Sequence, residues 1–319
     1  MQRYIIGRLL LFIPALFGVS VLVFVLMRVV PGDVAQQILA GPTGTNAIDP
    51  VAYQQLREKL GLNDSLVTQY AHWVGGVLQF DLGRSLQTNA TVWSIIKQRF
   101  PLTFEIATLT LVFSLIIAIP VGIISAIRPN GWLDYFMRFL SIGGLALPSF
   151  WTSILMLIFM ATWFKWSPPL FYSNIWQDPV LNLKRVIWPS LALGYLLSAV
   201  VARMVRSTMI EILRQDYIRT AWAKGLQERS VNYHHALVNA LLPIVTLVGM
   251  QYALLLGGTV VQEQIWNLPG IGGSLFTAII YRDYPVIQSL VLLFALIILG
   301  ANLLVDIMYA WLDPRIRYG

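Results

Sequence analysis

The ionisable residue best placed for chemistry is Glu263, which closely follows the pair Gly257-Gly258 at one end of a long apolar stretch. Ionisable groups are costly within apolar stretches that could cross a membrane, so those that occur there are usually functional or paired. Two roles are open for Glu263: it lines a pathway between helices, or it holds the Gly-rich run at 270–273. Gln262, directly before it, is a candidate for the same pathway. Gln251 is a further candidate for the pathway or for polar contact between helices.

Other ionisable residues near the apolar stretches have predicted structural roles. Asp306 lies close to the end of the last stretch, where an ion pair with an arginine is expected. Glu105 and Arg28 lie at the edges of their stretches, and their long side chains are expected to extend toward water. None of these groups forms the pair of acid and base that hydrolytic catalysis requires.

The sequence predicts no catalytic site, cofactor site or metal site. There is no cysteine, which excludes disulfides, thiol catalysis and cysteine-ligated metals. His234 and His235 are adjacent, so a helix turns them away from each other, and His72 is distant in sequence. The dipeptide Gly-Lys is absent, so no phosphate-binding loop of the Walker type is present. If ATP drives this protein, another chain must bind it.

The composition indicates a membrane protein. Of the 319 residues, 57% are hydrophobic and only 12% are charged, about half the charged fraction of an ordinary soluble domain. The net charge of +7 raises the question of nucleic-acid binding, which requires a clustered basic face. The cations lie instead near the ends of apolar stretches, as expected for a protein held among membrane lipids, so no nucleic-acid partner is predicted.

Six stretches are long and apolar enough to cross a bilayer as helices. They are Leu9–Val30, Leu102–Ile127, Phe139–Phe164, Val186–Val205, Leu241–Val261 and Pro285–Trp311. The first is longer than the apolar part of a signal peptide and lacks a cleavage pattern, so we expect it to be retained. The predicted fold is an all-α membrane protein with six transmembrane helices.

Lysine and arginine in short loops determine orientation, because they are retained in the cytoplasm. One side of the predicted topology carries Arg3, Arg8, Arg128, Arg138, Arg203, Arg206, Arg214, Arg219, Lys224, Arg229, Arg315 and Arg317. The other side carries fewer cations over a longer length of chain. We therefore expect both termini in the cytoplasm.

The segment 31–100 is predicted to be a small helical subdomain outside the cytoplasm. Asp49 can cap a helix that Pro50 opens and Gly61 stops, and Asp64 or Ser65 can cap a second helix. A third short helix is expected over Val92–Arg99, ending before a proline. This subdomain either shields the spans or contacts a partner protein, and the sequence leaves both roles open.

The segment from Arg203 to Asn239 lies on the cytoplasmic side between the fourth and fifth spans. Apolar residues recur at helical spacing, so one helix is expected to continue to Lys224, where Gly225 supplies the exit. A second helix is expected over Glu228–Leu242. A helix, a glycine and a second helix between two spans make a rigid projection that a cytoplasmic partner can grip.

These residues resemble the coupling loop of ABC-importer permeases, in the version found in the dipeptide and oligopeptide branch. The general loop has Glu-Ala-Ala, three residues, Gly, nine residues and then Ile-x-Leu-Pro. Counting back from Gly225 places Arg219-Thr220-Ala221 at Glu-Ala-Ala, so two of those positions differ. Counting forward places His235-Ala236-Leu237-Val238 at Ile-x-Leu-Pro, while Leu242-Pro243 comes later.

The resemblance extends along nearly the whole chain through short motifs in a fixed order. These are Pro31-Gly32-Asp33, Phe80-Asp81-Leu82-Gly83-Arg84-Ser85, Leu268-Pro269-Gly270-Ile271-Gly272, Arg282-Asp283-Tyr284-Pro285, Asn302-Leu303-Leu304-Val305-Asp306 and Asp313-Pro314-Arg315. The chain is most similar to the first permease subunit of importers for dipeptides, oligopeptides, glutathione or nickel.

The resemblance implies a type I ABC-importer permease fold in the cytoplasmic (inner) membrane of a bacterium or archaeon. It implies division into 1–30 with the first span, the external subdomain 31–100, a permease core 101–311 with the coupling loop 206–240, and a tail 312–319. The implied partners are a second, homologous permease subunit, two cytoplasmic ATPase subunits that bind ATP and Mg²⁺, and an external substrate-binding protein.

The same resemblance assigns contact with an ATPase to the coupling loop. Tyr217, Ala221, Trp222 and Leu226 are expected to fill a groove in the ATPase, with Arg219 and Lys224 at its rim. The alternative is that Tyr217 and Trp222 pack on this chain's own helices. The full candidate set is Asp216, Tyr217, Arg219, Thr220, Ala221, Trp222, Lys224, Gly225 and Leu226.

The expected function is a permease that forms half of an ATP-driven import pathway for peptides. Nickel chelates, glutathione and oligosaccharides are alternative substrates. A secondary transporter is a different class, which would carry ion-coupling carboxylates at mid-membrane and often internal repeats. The sequence has no convincing repeat and places no carboxylate near the centre of a span. A membrane-embedded enzyme is the third class, and the spans lack converging catalytic groups.

Overall fold

The computed structural model describes residues 2–29, 33–40 and 49–312, and every regular element in these ranges is helical. The elements are α1 (Gln2–Val29), α2 (Val34–Ala40), α3 (Pro50–Lys59), α4 (Leu66–Leu78), α5 (Val92–Ile127), α6 (Trp132–Ala146), α7 (Ser149–Trp163), α8 (Pro179–Leu213), α9 (Asp216–Ala223), α10 (Glu228–Ser230), α11 (Val238–Gly258), α12 (Val260–Ile265), α13 (Ile271–Ile280) and α14 (Tyr284–Leu312). A π-helical stretch, Val231–Leu237, joins α10 to α11.

The number of membrane-crossing elements agrees with the sequence. In the described part of the chain, four helices are long and apolar enough to cross a bilayer: Leu10–Val29, Val92–Ile127, Pro179–Leu213 and Tyr284–Met308. Two bent pairs, Trp132–Gly144 with Ser149–Trp163 and Glu228–Leu241 with Pro243–Gly257, raise the count to six if each pair is one span. The expected all-α fold with six spans is confirmed.

The third span is broken, contrary to the expectation of one continuous helix over Phe139–Phe164. Its halves, α6 and α7, meet at an angle of 101°. Leu147, between them, is extended with ψ of 128° because Pro148 disfavours the helical conformation of the residue before it. The proline therefore ends one helix and starts the next.

The central pair of helices is α5 and α8, which pack along much of their length. Gly122 allows this close approach, since a Cβ at that position would lie 2.5 Å from the Cβ of Val205. The predicted short helix Val92–Arg99 is not separate but is the first part of α5, which continues through Pro101. Proline is tolerated inside long membrane helices when neighbouring helices hold them. Here Leu102, just after the proline, is fully buried.

The segment between α1 and α5 contains the predicted caps. Asp49 accepts a hydrogen bond from the amide of Val51 and opens α3, and Gly61 follows with φ of +65°. Of the two candidates for the second cap, Ser65 is the residue used, because its hydroxyl accepts from the amide of Thr68 at 3.2 Å. These local predictions are confirmed.

This segment packs against the end of α1. The guanidinium of Arg28 donates to Oε1 of Gln69 at 2.8 Å and lies 4.6 Å from the centre of the Phe24 ring. The expectation that Arg28 extends toward water is therefore wrong, because the amide oxygen of Gln69 and the ring of Phe24 hold its guanidinium against this segment. The α4 side chains Tyr70 and Trp73 also contact Phe24.

The first and last spans are joined by an ion pair. Nη1 of Arg8 lies 3.2 Å from Oδ2 of Asp306, so the predicted structural pairing of Asp306 with an arginine is confirmed. The motif Pro31-Gly32-Asp33 lies partly outside the described residues, and Asp313-Pro314-Arg315 and the tail 313–319 lie wholly outside them. The division of the chain at residues 30, 100 and 311 stays a prediction.

Candidate coupling site and pathway residues

The coupling segment, residues 206–240, contains a break that the sequence did not predict. The helix expected to run to Lys224 ends at Leu213, and α9 starts at Asp216 after an extended residue, Gln215. This break frees α9 to lie across the end of the bundle rather than continue α8. Gly225 has φ of +75°, which confirms its predicted role as the helix exit.

One face of α9 is packed on this chain. Ile218 and Ala221 are buried, and they join a cluster with Met209, Val231 and Ala236 from the flanking elements. The spacing of Ile218 and Ala221 places them on the same side of the helix. This face fixes α9 to the base of α8 and to the π-helical stretch.

The burial of Ala221 changes its predicted role. As a groove-filling contact for an ATPase, its side chain would have to be exposed, but it faces the protein's own core. Arg219-Thr220-Ala221 therefore combines two exposed positions with one buried position. The expectation for Ala221 is wrong because Ala221 shares a face of α9 with Ile218, and that face packs on the flanking elements.

Apolar side chains on either side of this buried face, and at the exit of α9, are partly exposed. Tyr217, Trp222 and Leu226 are 44%, 43% and 38% exposed, respectively. We call these three residues the apolar patch. Nδ2 of Asn239 donates to the hydroxyl of Tyr217 at 3.2 Å and to the carbonyl of His235, which holds the tyrosine in place. More than half of each of Tyr217 and Trp222 is covered by this chain, so the alternative that they pack on its own helices stays open.

Polar groups surround the apolar patch. Arg219 and Asp216 form an exposed ion pair at 3.3 Å, and the hydroxyl of Thr220 donates to the carbonyl of Asp216 at 3.0 Å. Lys224 is exposed at the end of the helix. Exposed apolar side chains rimmed by polar groups are typical of a protein–protein contact site.

Glu263 lies in a different environment, buried among α5, α12 and the start of α13. Only 1% of its surface is exposed. Its Oε1 accepts hydrogen bonds from the hydroxyls of Thr103 at 2.6 Å and Thr259 at 2.9 Å, and its Oε2 accepts from the amide of Gly273 at 2.7 Å. We call Glu263 with these three donors the Glu263 network.

The Glu263 network holds the Gly-rich run at the start of α13. The hydroxyl of Thr103 also accepts from the amide of Ile271 at 3.0 Å, so two amides of this helix start are satisfied. A Cβ at Gly270 would overlap the carboxyl group of Glu263, which explains the glycine. Of the two roles considered for Glu263, the geometry supports holding this loop rather than lining an open pathway.

The other pathway candidates also differ from one another. Gln262 is buried, accepts from the hydroxyl of Ser153 at 2.5 Å and donates to the carbonyl of Ser149 at 3.1 Å. It therefore joins α12 to α7, the second half of the broken span. Gln251 is half-buried in α11 and stays a candidate for the pathway.

Two buried aspartates were missed by the sequence analysis. Asp134 is fully buried and is held by both Arg206 and Arg138, with Nε of Arg206 at 2.8 Å. Asp283 accepts from the hydroxyl of Ser85 at 2.5 Å and from the amide of Leu86 at 3.0 Å. The spacing of Asp134 and Arg138 signals a pair on one helix, whereas the contact of Asp283 with Ser85 joins residues far apart in sequence and has no local signal.

In the ranges that the structure describes, no group of three or more His, Cys, Asp or Glu residues is arranged to hold a metal ion.

Comparison with known proteins identifies the family on both halves of the chain. Residues 118–318 match the family described as the inner membrane component of binding-protein-dependent transport systems. Residues 1–107 match the N-terminal region of the membrane component of such systems.

The similar relatives are permeases that match over their whole length. The chain is 39% identical to the dipeptide transport system permease protein DppB of Alkalihalophilus pseudofirmus, 38% identical to the glutathione transport system permease protein GsiC of Escherichia coli K12, and 36% identical to the probable peptide ABC transporter permease protein y4tP of Sinorhizobium fredii. In each comparison, all of this chain and all of the relative are covered.

The fold is similar to that of a solved transporter. A chain of the MetNI methionine ABC transporter in an inward-facing conformation matches with a TM-score of 0.57 and 16% sequence identity, covering 69% of this chain and 97% of that chain. At this identity the match supports the fold alone. Together with the family matches, it shows that the chain belongs to the inner-membrane permease components of binding-protein-dependent ABC importers.

Proposed function

We propose that this permease forms half of a pathway through which ATP hydrolysis drives the import of short peptides. The observation that carries the proposal is the apolar patch on α9, which is exposed at the end of the bundle and rimmed by polar groups. Its proposed partner is a cytoplasmic ATPase. The lack of a Gly-Lys dipeptide in the sequence agrees with a separate chain that binds ATP and Mg²⁺.

The proposed assembly contains four further chains. A second, homologous permease completes the pathway, two ATPase subunits bind below the two coupling segments, and a substrate-binding protein delivers peptide from outside. Both termini are proposed to be cytoplasmic, because the cation-rich short loops and the coupling segment then lie on the side of the ATPases.

Force is proposed to pass from the ATPases to the spans through α9. Its buried face, formed by Ile218 and Ala221, packs on elements that continue into α8 and α11. Because packed helices move as rigid bodies between discrete arrangements, displacement of α9 tilts these helices and changes the side to which the pathway opens.

The proposed substrate class comes from the relatives. Two of them are named for dipeptide or peptide transport, and a third is named for glutathione, which is itself a tripeptide. Short peptides are therefore the substrates to test first, with glutathione as the second candidate.

The test is substitution of Trp222→Ala in the complete complex. Truncating a large aromatic residue at the centre of an interface typically costs about 2–4 kcal/mol of binding free energy. We expect affinity between permease and ATPase to fall at least about thirtyfold, and ATP-dependent uptake of dipeptide into vesicles to be lost. Because Trp222 is not in the core, the free energy of unfolding of the permease is expected to change by less than about 0.5 kcal/mol.

The matched control is Trp132→Ala, which removes an exposed tryptophan at the start of α6, outside the coupling segment. It is expected to leave the affinity for the ATPase unchanged. Normal uptake by Trp222→Ala would contradict the role of the apolar patch. Uptake by the unaltered complex that requires no ATP and is abolished by an uncoupler would instead indicate a secondary transporter.

A further inference from the structure

A second site adjoins the N-terminal parts of α5 and α8, far from the coupling segment. A cavity of about 280 Å³ lies between these helices and the connection 164–178. Its wall includes Phe104, Glu105 and Thr108 from α5 and Tyr172, Asn174 and Trp176 from the connection. Since α8 rises about 1.5 Å per residue from this end to its break at Leu213, the cavity is roughly 45 Å from α9, at the opposite end of the bundle.

Glu105 is the carboxylate in this wall, and only one of its oxygens is satisfied. Oε2 accepts from Nδ2 of Asn182 at 3.0 Å. Asn182 is fully buried, and its amide also donates to the carbonyl of Ser173 at 3.1 Å, which fixes its position. Oε1 is buried and has no hydrogen-bond partner among the described residues.

This half-satisfied carboxylate is unusual. Most buried polar groups in proteins are hydrogen-bonded, and an orphan beside a cavity indicates a missing partner. In the described ranges no lysine, arginine or histidine forms an ion pair with Glu105, unlike the paired Asp306 and Asp134. The expectation that Glu105 extends to water is wrong, because Asn182 holds it within the protein.

The geometry of Glu105 selects among cations. A guanidinium binds a carboxylate best through two parallel hydrogen bonds to both oxygens, but Oε2 is already occupied by Asn182. An ammonium is a compact charge that needs a single oxygen. Glu105 lies in the wall of the cavity, and Oε1 is the oxygen that Asn182 leaves without a partner.

Three aromatic residues in the wall of the cavity also suit an ammonium group. Phe104, Tyr172 and Trp176 supply aromatic faces, which attract a cation through the negative potential of their rings. Burial, followed by the negative charge of Glu105, raises the pKa of Tyr172 to about 12, so the phenol stays neutral. Trp176 is strongly exposed at the mouth of the cavity, which leaves a route from solvent.

We propose that this cavity is a binding site for the terminal ammonium group of a short peptide, with Glu105 as its counter-ion and Phe104, Tyr172 and Trp176 around it. The proposal rests on the proposed function, and it assigns to the permease its own contact with the cargo. The volume of about 280 Å³ lies just below the usual range for small-molecule sites, so it accommodates one terminal residue rather than a whole peptide.

The test is equilibrium dialysis of radiolabelled alanyl-alanine against the purified complex, without the binding protein, in phosphatidylcholine nanodiscs. We expect saturable binding, and N-acetyl-alanyl-alanine, which lacks the ammonium group, to compete at least about tenfold less well. Glu105→Gln preserves size and the contact with Asn182 but removes the charge, so it is expected to weaken binding of alanyl-alanine about tenfold and to abolish the discrimination.

Two variants separate charge from structure. Glu105→Asp retains the negative charge and is expected to discriminate between the two ligands, even if it binds them more weakly. Glu58→Gln makes the same chemical change on an exposed residue of α3 and is expected to bind as the unaltered protein does.

The outcomes distinguish this site from the proposed function. If the unaltered complex imports alanyl-alanine but binds both ligands equally, or if Glu105→Gln binds normally, the ammonium site is refuted and the import function stands. If nanodiscs containing phosphatidylethanolamine block peptide binding, the occupant is a lipid ammonium and the proposal fails. If the complex imports no peptide but still binds alanyl-alanine more tightly than N-acetyl-alanyl-alanine, the proposed function fails and the ammonium site stands.

Discussion

The apolar patch on α9 and the Glu263 network invert the usual distribution of polarity. Tyr217 and Trp222 leave apolar surface exposed, whereas Glu263 is buried with hydrogen bonds to both of its oxygens. A buried polar group whose hydrogen bonds are made contributes to one defined packing arrangement. Exposed apolar surface next to polar groups is instead available for another protein.

This difference separates a structural site from a binding site. Both regions attract notice in the sequence, one through an ionisable residue in an apolar setting and the other through a helix between spans. Only the hydrogen-bond partners distinguish them. Glu263 has its donors within this chain, whereas the apolar patch is the surface for which we propose a contact with another chain.

The contrast between the Glu263 network and the apolar patch requires Glu263 to be essential to the fold. Glu263→Ala leaves the amide of Gly273 and the hydroxyls of Thr103 and Thr259 without their acceptor. Since each buried donor without a partner costs about 1–3 kcal/mol, we expect the free energy of unfolding to fall by about 3 kcal/mol or more. Denaturant unfolding of the detergent-solubilised permease, followed by circular dichroism, measures this loss.

The control for this prediction is Glu58→Ala, which removes an exposed glutamate of α3. It is expected to change the free energy of unfolding by less than about 0.5 kcal/mol. Equal stability of Glu263→Ala and the unaltered permease, with a loss of transport alone, would return Glu263 to the pathway.

Two alanines of α9, two residues apart, allow a test of which side of this helix is buried and which is exposed. Ala221 is buried against the core, whereas Ala223 is exposed. Ala221→Leu adds three carbons to a packed site, so we expect a loss of about 1–3 kcal/mol in the free energy of unfolding. Ala223→Leu makes the same change on the exposed side, and a loss below about 0.5 kcal/mol is expected.

Denaturant unfolding of both variants, side by side, tests this assignment of faces. Equal losses would mean that α9 does not pack on α8 and the π-helical stretch as the structure has it. The pair also separates destabilisation from weakened docking, because each variant's affinity for the ATPase can be compared with its own stability.

Local signals made part of this molecule predictable. The caps Asp49 and Ser65 and the exit at Gly225 depend on residues within one helical turn, and each of them is where the sequence places it. The spans were predictable because about 20 apolar residues in succession have few alternatives to a membrane. The positions of the family motifs likewise follow from the sequence alone.

The remaining features depend on contacts between distant residues. Thr103 meets Glu263 only after α5 and α12 are packed together, so no spacing in the sequence predicts the Glu263 network. The burial of Ala221 requires the break at Gln215, which reorients α9. The third span was predicted as continuous because its hydropathy continues through Pro148, while the backbone does not.

A partly exposed polar cluster in the segment between α1 and α5 provides an intermediate case between the apolar patch and the Glu263 network. Asp33 accepts hydrogen bonds from the hydroxyl of Tyr53 and from Nη1 of Arg57, both at 2.6 Å. Partial burial opposes ionisation of Asp33, but these hydrogen bonds, those from the amides of Gln36 and Ala35, and the charge of Arg57 outweigh it and lower the pKa of the carboxyl group. Because solvent screens the cluster, it is expected to contribute at most about 1 kcal/mol.

The sign of the pH dependence follows from the lowered pKa of Asp33. The unfolded chain binds a proton near the ordinary value of about 3.9, so the contribution is fully present above that pH and is lost as pH falls through the lower folded value. Hydrogen exchange of the α3 amides between pH 5 and pH 2, corrected for intrinsic exchange, is expected to show declining protection. Asp33→Asn removes the titrating group and should abolish that decline. An equal loss of protection in the unaltered protein and in Asp33→Asn would mean that another group causes the acid sensitivity. The stability of the segment between α1 and α5 would then depend on its packing against α1 rather than on this exposed charge.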